Sequence, residues 1–289
     1  SVMPETYQTS KSGRMNRMIT RKLREFAKDL RKEKINGASE EDLNGLKHQM
    51  LETIFRLLSI HIGMPPNSFD WQIKNKNNDF YRFENVSPVD FYNNHVGLNL
   101  NEYVCLINCP MADKNYNEVY TVEFLGNVIE GQPIRYLNVE IDIMKRAAIK
   151  SIKNEEPVWF GCDVSKHYHR ELGVMDMDLF DFDLFYGTKF NLNKSERLEH
   201  GDSEMTHAML FTGVDLDSKG NSNKWRVENS WGNKNGDKGY NIMTDNWFDE
   251  YMYEVVVHKS YLPDKIYNIY NESKLVSLKP WDPMGALAR

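Results

Sequence analysis

The chain has 289 residues, with 36 Lys+Arg against 42 Asp+Glu and a net charge of −6; 40% of it is hydrophobic and 12% aromatic. That content excludes a disordered chain, and the acidic balance argues against a general binder of polyanions. No apolar run reaches the ~18 residues of a membrane span, no signal peptide is visible, and an odd set of three cysteines makes no disulfide framework. The features together read as a protein of the reducing cytoplasm with no membrane partner.

From Gly13 to about Lys34, Met15, Met18, Ile19, Leu23, Phe26, Ala27 and Leu30 recur at helical spacing with Arg and Lys between them. Asn36-Gly37 ends that helix. Ser39-Glu40-Glu41-Asp42 reads as a capping-box start for a second, which Pro65-Pro66 stops. An antiparallel helix pair over about 13–62 is the natural product. From Phe69 to Asn115 short aromatic-rich pieces alternate with Asn and Pro. Residues 116–138 predict a β-hairpin turning around Glu130-Gly131, a candidate assembly element. A helix is expected from about Asp142 to Asn154, then a buried strand within Pro157–Val164. Further strands are expected at 208–214, 224–228, 239–243 and 253–258, with a turn at Asp217–Gly220. The tail from Asp264 is polar and carries Pro280 and Pro283, which favour an extended arm. The pattern is α+β, helices first and a mostly antiparallel sheet last. It divides as 1–115 helical and irregular, 116–138 hairpin, 139–263 β domain, and 264–289 C-terminal arm.

The chemistry concentrates near the third of these segments. His207 opens an apolar strand, and Asn229 ends the strand that the Asp217–Gly220 turn folds back beside it. An Asn carbonyl accepting the imidazole N–H fixes one tautomer and leaves the other nitrogen as a general base. Trp231 is placed to cover that bond. For an isolated His–Asn pair a packed core histidine and a turn-forming Asn are the better reading; the flanking residues reverse it. Asn-Ser-Trp-Gly at 229–232, then Gly236, then Gly239-Tyr240, resembles a block of the papain-like cysteine peptidases, whose Cys-His-Asn set is a variant of the catalytic triad.

Other stretches narrow this to the bleomycin hydrolase/aminopeptidase C branch. They are Val2–Tyr7, Tyr120–Val128, Pro157–Val164 and Trp281-Asp282-Pro283-Met284-Gly285-Ala286-Leu287-Ala288. The resemblance implies a papain-like fold with a β-barrel-like sheet. It also implies an aminopeptidase that cleaves N-terminal residues from peptide substrates by thiolate attack and an acyl-enzyme. His207 is then the general base, Asn229 its orienter and Trp231 a supporting residue. It further implies no metal or organic cofactor, a homo-hexamer when complete, and a tail whose Ala288 and Arg289 position the substrate's α-ammonium. Arg289 extends past Ala288 and displaces the carboxylate by up to ~3.5 Å.

The three cysteines depart from the pattern. The family's nucleophile opens a helix and precedes an aromatic residue, with an oxyanion-stabilising Gln upstream. Cys105 and Cys109 start no amphipathic helix, and Cys162 lies in a buried strand before Asp163, whose charge raises a thiol pKa. The expectation is a C-terminal portion that lacks the nucleophile-bearing N-terminal segment and is inactive alone. The alternative is a catalytically inactive scaffold serving assembly or binding.

Weaker signals are read conservatively. Asp215–Gly220 has acids at the first and third positions of a calcium loop but Arg226 at the twelfth, so a hairpin turn is preferred. His167 and His169 with Asp176, Asp178, Asp181 and Asp183 have no zinc spacing and read as an exposed strand or loop face. The basic residues of the first helix, from Arg14 to Lys34, read as a solvated face, with nucleic acid disfavoured.

Overall fold

The computed structural model describes residues 12–126 and 130–288, which fall into two compact units dividing between Leu98 and Asn99. Tyr103–Ile107, inside the segment expected to be helical and irregular, is a strand of the second unit's sheet. The division therefore precedes residue 115.

The first unit opens with α1 (Gly13–Ile35) and α2 (Glu40–Ile62), which pack together. Along α1, Met15, Ile19, Lys22, Phe26 and Leu30 form the half-buried stripe, while Arg14, Arg17, Arg21, Arg24 and Arg31 are exposed, as a solvated face requires. Gly37 adopts a positive φ of 89° just beyond α1. Ser39 caps α2 reciprocally: its hydroxyl accepts from the Asp42 amide at 3.1 Å, and the Asp42 carboxylate accepts from the Ser39 amide at 3.1 Å. The aromatic-rich stretch then forms an antiparallel pair, β1 (Phe69–Lys74) with β2 (Phe80–Val86), followed by the short helix α3 (Pro88–Phe91). Trp71 stacks on Phe83 at 5.3 Å and meets Phe91 edge-on at 4.8 Å, so the aromatic residues of this stretch form a small cluster.

The second unit is built on an eleven-stranded sheet. Its strands are β3 (Tyr103–Ile107), β4 (Val119–Val122), β5 (Tyr136–Asn138), β6 (Val158–Cys162), β7 (Tyr168–His169), β8 (Val174–Met175), β9 (His207–Leu216), β10 (Ser222–Glu228), β11 (Tyr240–Thr244), β12 (Met252–His258) and β13 (Leu275–Leu278). They lie in the order β13-β4-β5-β3-β12-β6-β9-β10-β11-β8-β7. The pairing is mostly antiparallel, as expected; β13–β4, β3–β5 and β11–β8 are parallel. Around the sheet lie α4 (Ile141–Lys153), α5 (Phe182–Tyr186), α6 (Lys194–Glu199), α7 (Asp245–Tyr251) and α8 (Asp264–Glu272). The tail is therefore not an extended arm: α8 buries Ile266 and β13 pairs with β4 before a last short turn at Pro283–Ala288.

The core centres on four rings. Phe160 of β6 stacks on Phe211 of β9 at 3.9 Å, and Phe211 also meets Trp225 of β10 at 4.8 Å and Phe248 of α7 at 5.6 Å. Helix α4 lays Met144, Ala147 and Ala148 against this core, and Lys145 ties it to α7 by an ion pair to Asp245 at 2.6 Å. The β9–β10 hairpin turns where the sequence places it. Asp217 Oδ1 accepts from the amides of Lys219 and Asn221, each at 2.8 Å, and Gly220 takes a φ of 85°.

Candidate active site

His207 is the first residue of β9, held in register opposite Cys162 of β6. Asn229 follows the last residue of β10, and its amide donates to the Gly239 carbonyl at 3.3 Å. The antiparallel return brings the two side chains together: His207 Nε2 lies 3.0 Å from Asn229 Oδ1. With the Asn oxygen accepting, Nε2 carries the proton and Nδ1 keeps a free lone pair. The Trp231 ring sits 4.7 Å from the imidazole, inclined by 34°. The three residues singled out from the sequence thus form one contiguous group.

A polar network missing from the sequence reading holds the approach to His207. Asp163, 2% exposed, accepts from Ser203 Oγ at 2.9 Å, Thr206 Oγ1 at 3.2 Å and Ser165 Oγ at 3.1 Å. Ser203 also pairs with the Tyr253 hydroxyl at 2.7 Å. The Thr206 amide donates to the Cys162 carbonyl at 2.9 Å, so the residue before His207 is anchored through backbone and side chain. Its sequence signal is the single acid, Asp163, within the apolar run Val158–Val164.

Two glycines knit the loop after Asn229 to the β7–β8 turn. A Cβ on Gly173 would lie 2.5 Å from Gly236 Cα and 2.8 Å from Asn241 Oδ1, and one on Gly236 would strike the Tyr240 carbonyl oxygen. Both residues have positive φ, 67° and 58°. Gly173→Ala is accordingly expected to cost about 2–4 kcal/mol of stability, read from denaturant unfolding. A cost below ~1 kcal/mol, the range of an ordinary substitution, would contradict this close approach.

No cysteine meets the His–Asn pair as a ready thiolate. Cys109 and Cys162 are fully buried, and Cys105 is half-buried. Burial pushes the Cys109 thiol up to about 11 and holds those of Cys105 and Cys162 well above the usual range; the Asp163 charge adds to the effect at Cys162. The Cys105 thiol donates to the carboxyl of Glu254, which is 5% exposed and raised by burial to about 7. Between pH ~4.5 and ~7 the folded chain binds this proton more tightly than the unfolded chain, so stability is greatest below that window and falls as pH rises through it. The loss is on the order of 2–3 kcal/mol. Glu254→Gln is expected to flatten this slope when unfolding is followed from pH 5 to pH 7; an unchanged slope would assign it to other groups. Burial also lowers Lys194 to about 7, but its titration acts above that pH.

Three of the four acids beside His167 and His169 have backbone roles. Asp176 and Asp181 cap the turns that follow them, accepting from the amides of Asp178 and Leu184 at 2.9 Å each, and Asp183 accepts from the Phe190 amide at 3.1 Å. Of the expected strand or loop face, the segment takes the loop form, with two short helical turns in it. The His167 ring packs against Phe182 at 5.3 Å.

The profile of the Peptidase C1-like family matches residues 1–285. The chain belongs to that family. This Peptidase C1-like chain is 44% identical to the aminopeptidase C of Listeria monocytogenes over 288 residues, covering all of the chain and 64% of the relative. It is 44% identical over 292 residues to the bleomycin hydrolase of Gallus gallus, covering 99% of the chain and 64% of that protein. A crystal structure of pepw from Lactobacillus rhamnosis HN001 superimposes with a TM-score of 0.92 at 44% identity, covering 99% of this chain and 64% of the other. The resemblance to the bleomycin hydrolase/aminopeptidase C branch and the α+β, papain-like fold class stand on these matches. This Peptidase C1-like chain spans about 64% of the length of these relatives. Among the described residues no helix is long and apolar enough to cross a membrane. Arg289 lies outside the described residues, as does the side chain of Ala288.

Proposed function

We propose that this chain supplies the base and its orienter to a cysteine aminopeptidase that removes N-terminal residues from peptides. The observation that carries the reading is the 3.0 Å contact of His207 Nε2 with Asn229 Oδ1, with the Trp231 ring 4.7 Å from the imidazole, on a chain 44% identical to an aminopeptidase C. Asn229 holds the Nε2–H tautomer, so Nδ1 takes the proton from a thiol and stabilises the thiolate as an ion pair. After attack on the scissile carbonyl, the same nitrogen returns the proton to the leaving amine. It then takes one from the water that hydrolyses the acyl-enzyme. Burial raises the pKa of all three thiols, which supports a nucleophile supplied from outside these 289 residues; an oxyanion-stabilising Gln outside them rests on the resemblance. A positioning role for Ala288 and Arg289 at the substrate's α-ammonium rests on the resemblance. So does a homo-hexameric assembly; the cytoplasmic compartment rests on the cysteine usage.

The buried thiols equally support a second reading, a scaffold that retains the pair without catalysis. One experiment separates the two. The chain is fused to the part of the Lactococcus lactis aminopeptidase C that it does not match, and hydrolysis of aminoacyl substrates is measured. Turnover by the fusion that is lost with His207→Ala supports the peptidase; a well-folded fusion without turnover supports the scaffold.

A further inference from the structure

Arg170 lies in the short turn between β7 and β8, in no motif that the family resemblance uses. Its guanidinium carbon stands 4.7 Å from the centroid of the Trp231 ring, over its face. The same ring lies 4.7 Å from the His207 imidazole. Trp231 is 36% exposed and Arg170 is exposed, so this contact forms at the solvent edge of the candidate site.

Two observations show that the turn carrying Arg170 is fixed beside Trp231 by the fold. The backbone that follows Arg170 is bound to the loop that carries Trp231 and to the strand that follows it. The Gly236 amide donates to the Glu171 carbonyl at 3.3 Å, and the Ile242 amide donates to the Gly173 carbonyl at 2.7 Å. Gly173 and Gly236 are in near contact, leaving no room for a side chain at either position. In addition, Tyr168 stands 6.4 Å from Trp231, and its hydroxyl donates to Asn241 Oδ1 at 3.1 Å, which fixes a second ring beside the indole.

We propose that Arg170 is a positioning residue: its guanidinium holds the Trp231 indole over the His207–Asn229 hydrogen bond and limits the access of water to it. The physical basis is the attraction of a cation to the face of an indole, the strongest such partner among the aromatic side chains. A planar guanidinium also stacks where an ammonium acts only as a point charge. Water that reaches Asn229 Oδ1 or the Nε2 proton competes for the bond that selects the tautomer, so an indole held in place keeps Nδ1 available as the base. The functional meaning of this role rests on the proposed function; the shielding itself does not.

The test uses the 289-residue chain, isotopically labelled, and follows exchange with water of the His207 Nε2 proton by NMR. The resonance is assigned by its loss in His207→Ala. Arg170→Ala is expected to accelerate the exchange about 2- to 5-fold, the range of an exposed cation–π contact, and to shift the Trp231 indole N–H resonance. Arg170→Lys should recover part of both effects, because it keeps the charge but loses the planar stack. Since Arg170 is exposed, each variant is accepted only if its unfolding midpoint matches that of the parent. Unchanged exchange and an unchanged Trp231 resonance in Arg170→Ala would overturn the inference. So would full recovery by Arg170→Met, which restores volume without charge. In the fusion, Arg170→Ala should lower kcat by the same 2- to 5-fold factor at unchanged KM. If His207→Ala leaves turnover intact, the catalytic reading falls whatever the exchange rates are; if exchange ignores Arg170, only the present inference falls.

Discussion

In a fusion that turns over substrate, His207→Ala lowers kcat/KM by about 10³- to 10⁴-fold. The side chain carries both proton-transfer duties, a role worth about 10²- to 10⁴-fold by itself, and its removal also takes away the cation that stabilises the thiolate. Asn229→Ala has a smaller effect. The imidazole remains, but the 3.0 Å bond that selects its tautomer is gone. A hydrogen bond to a group that becomes charged contributes about 1.5–3 kcal/mol, which predicts roughly a 10- to 150-fold loss. The ordering is as informative as the size. A loss at Asn229 equal to that at His207 would mean that the two act as one unit, while no loss at Asn229 would leave the tautomer to another partner. The double variant should be little worse than His207→Ala, because an orienter has no role once the base is absent.

Phe211→Ala is expected to destabilise the chain by about 3–5 kcal/mol, the range for an aromatic side chain removed from a packed core. Phe211 is fully buried and contacts Phe160, Trp225 and Phe248, so the cavity would open at the junction of β6, β9, β10 and α7. Rings paired in this way contribute beyond the area they bury. Phe211→Leu retains most of the volume and should cost about half as much or less. Both values come from urea unfolding at constant pH, with the slope of the transition checked for change. A cost under about 1.5 kcal/mol for the alanine variant would mean that the stack collapses around the vacancy. Because His207 opens the same strand and faces the same side as Phe211, the variant also tests whether the site depends on the core beneath it.

The parts of this protein that were legible from sequence are those written over short stretches. Ser39 and Asp42 are three residues apart, so their capping box forms before any tertiary contact. The Asp217–Gly220 turn is determined by one carboxylate reaching amides two and four residues ahead. That turn sends β10 back along β9, and the Asn-Ser-Trp-Gly block after it then brought His207, Asn229 and Trp231 within the sequence reading. The tail is less legible because the amphipathic stretch at Ile266, Tyr267, Ile269 and Tyr270 is short, and because β13 is a strand only by pairing with β4.

What sequence alone determined is therefore the helix pair, its caps, the hairpin turn and the identity of the imidazole and its amide partner. Tertiary structure alone decided what surrounds them. Cys105 meets Glu254 across 149 residues of chain and Ser203 meets Asp163 across 40, while Arg170 reaches Trp231 only because two side-chain-free glycines let separate turns touch. The physical reason is range. A cap or a turn is settled by dihedral preferences and hydrogen bonds within a few residues, whereas a buried acid, a shielded base or a protonated thiol is defined by neighbours that only sheet register brings together.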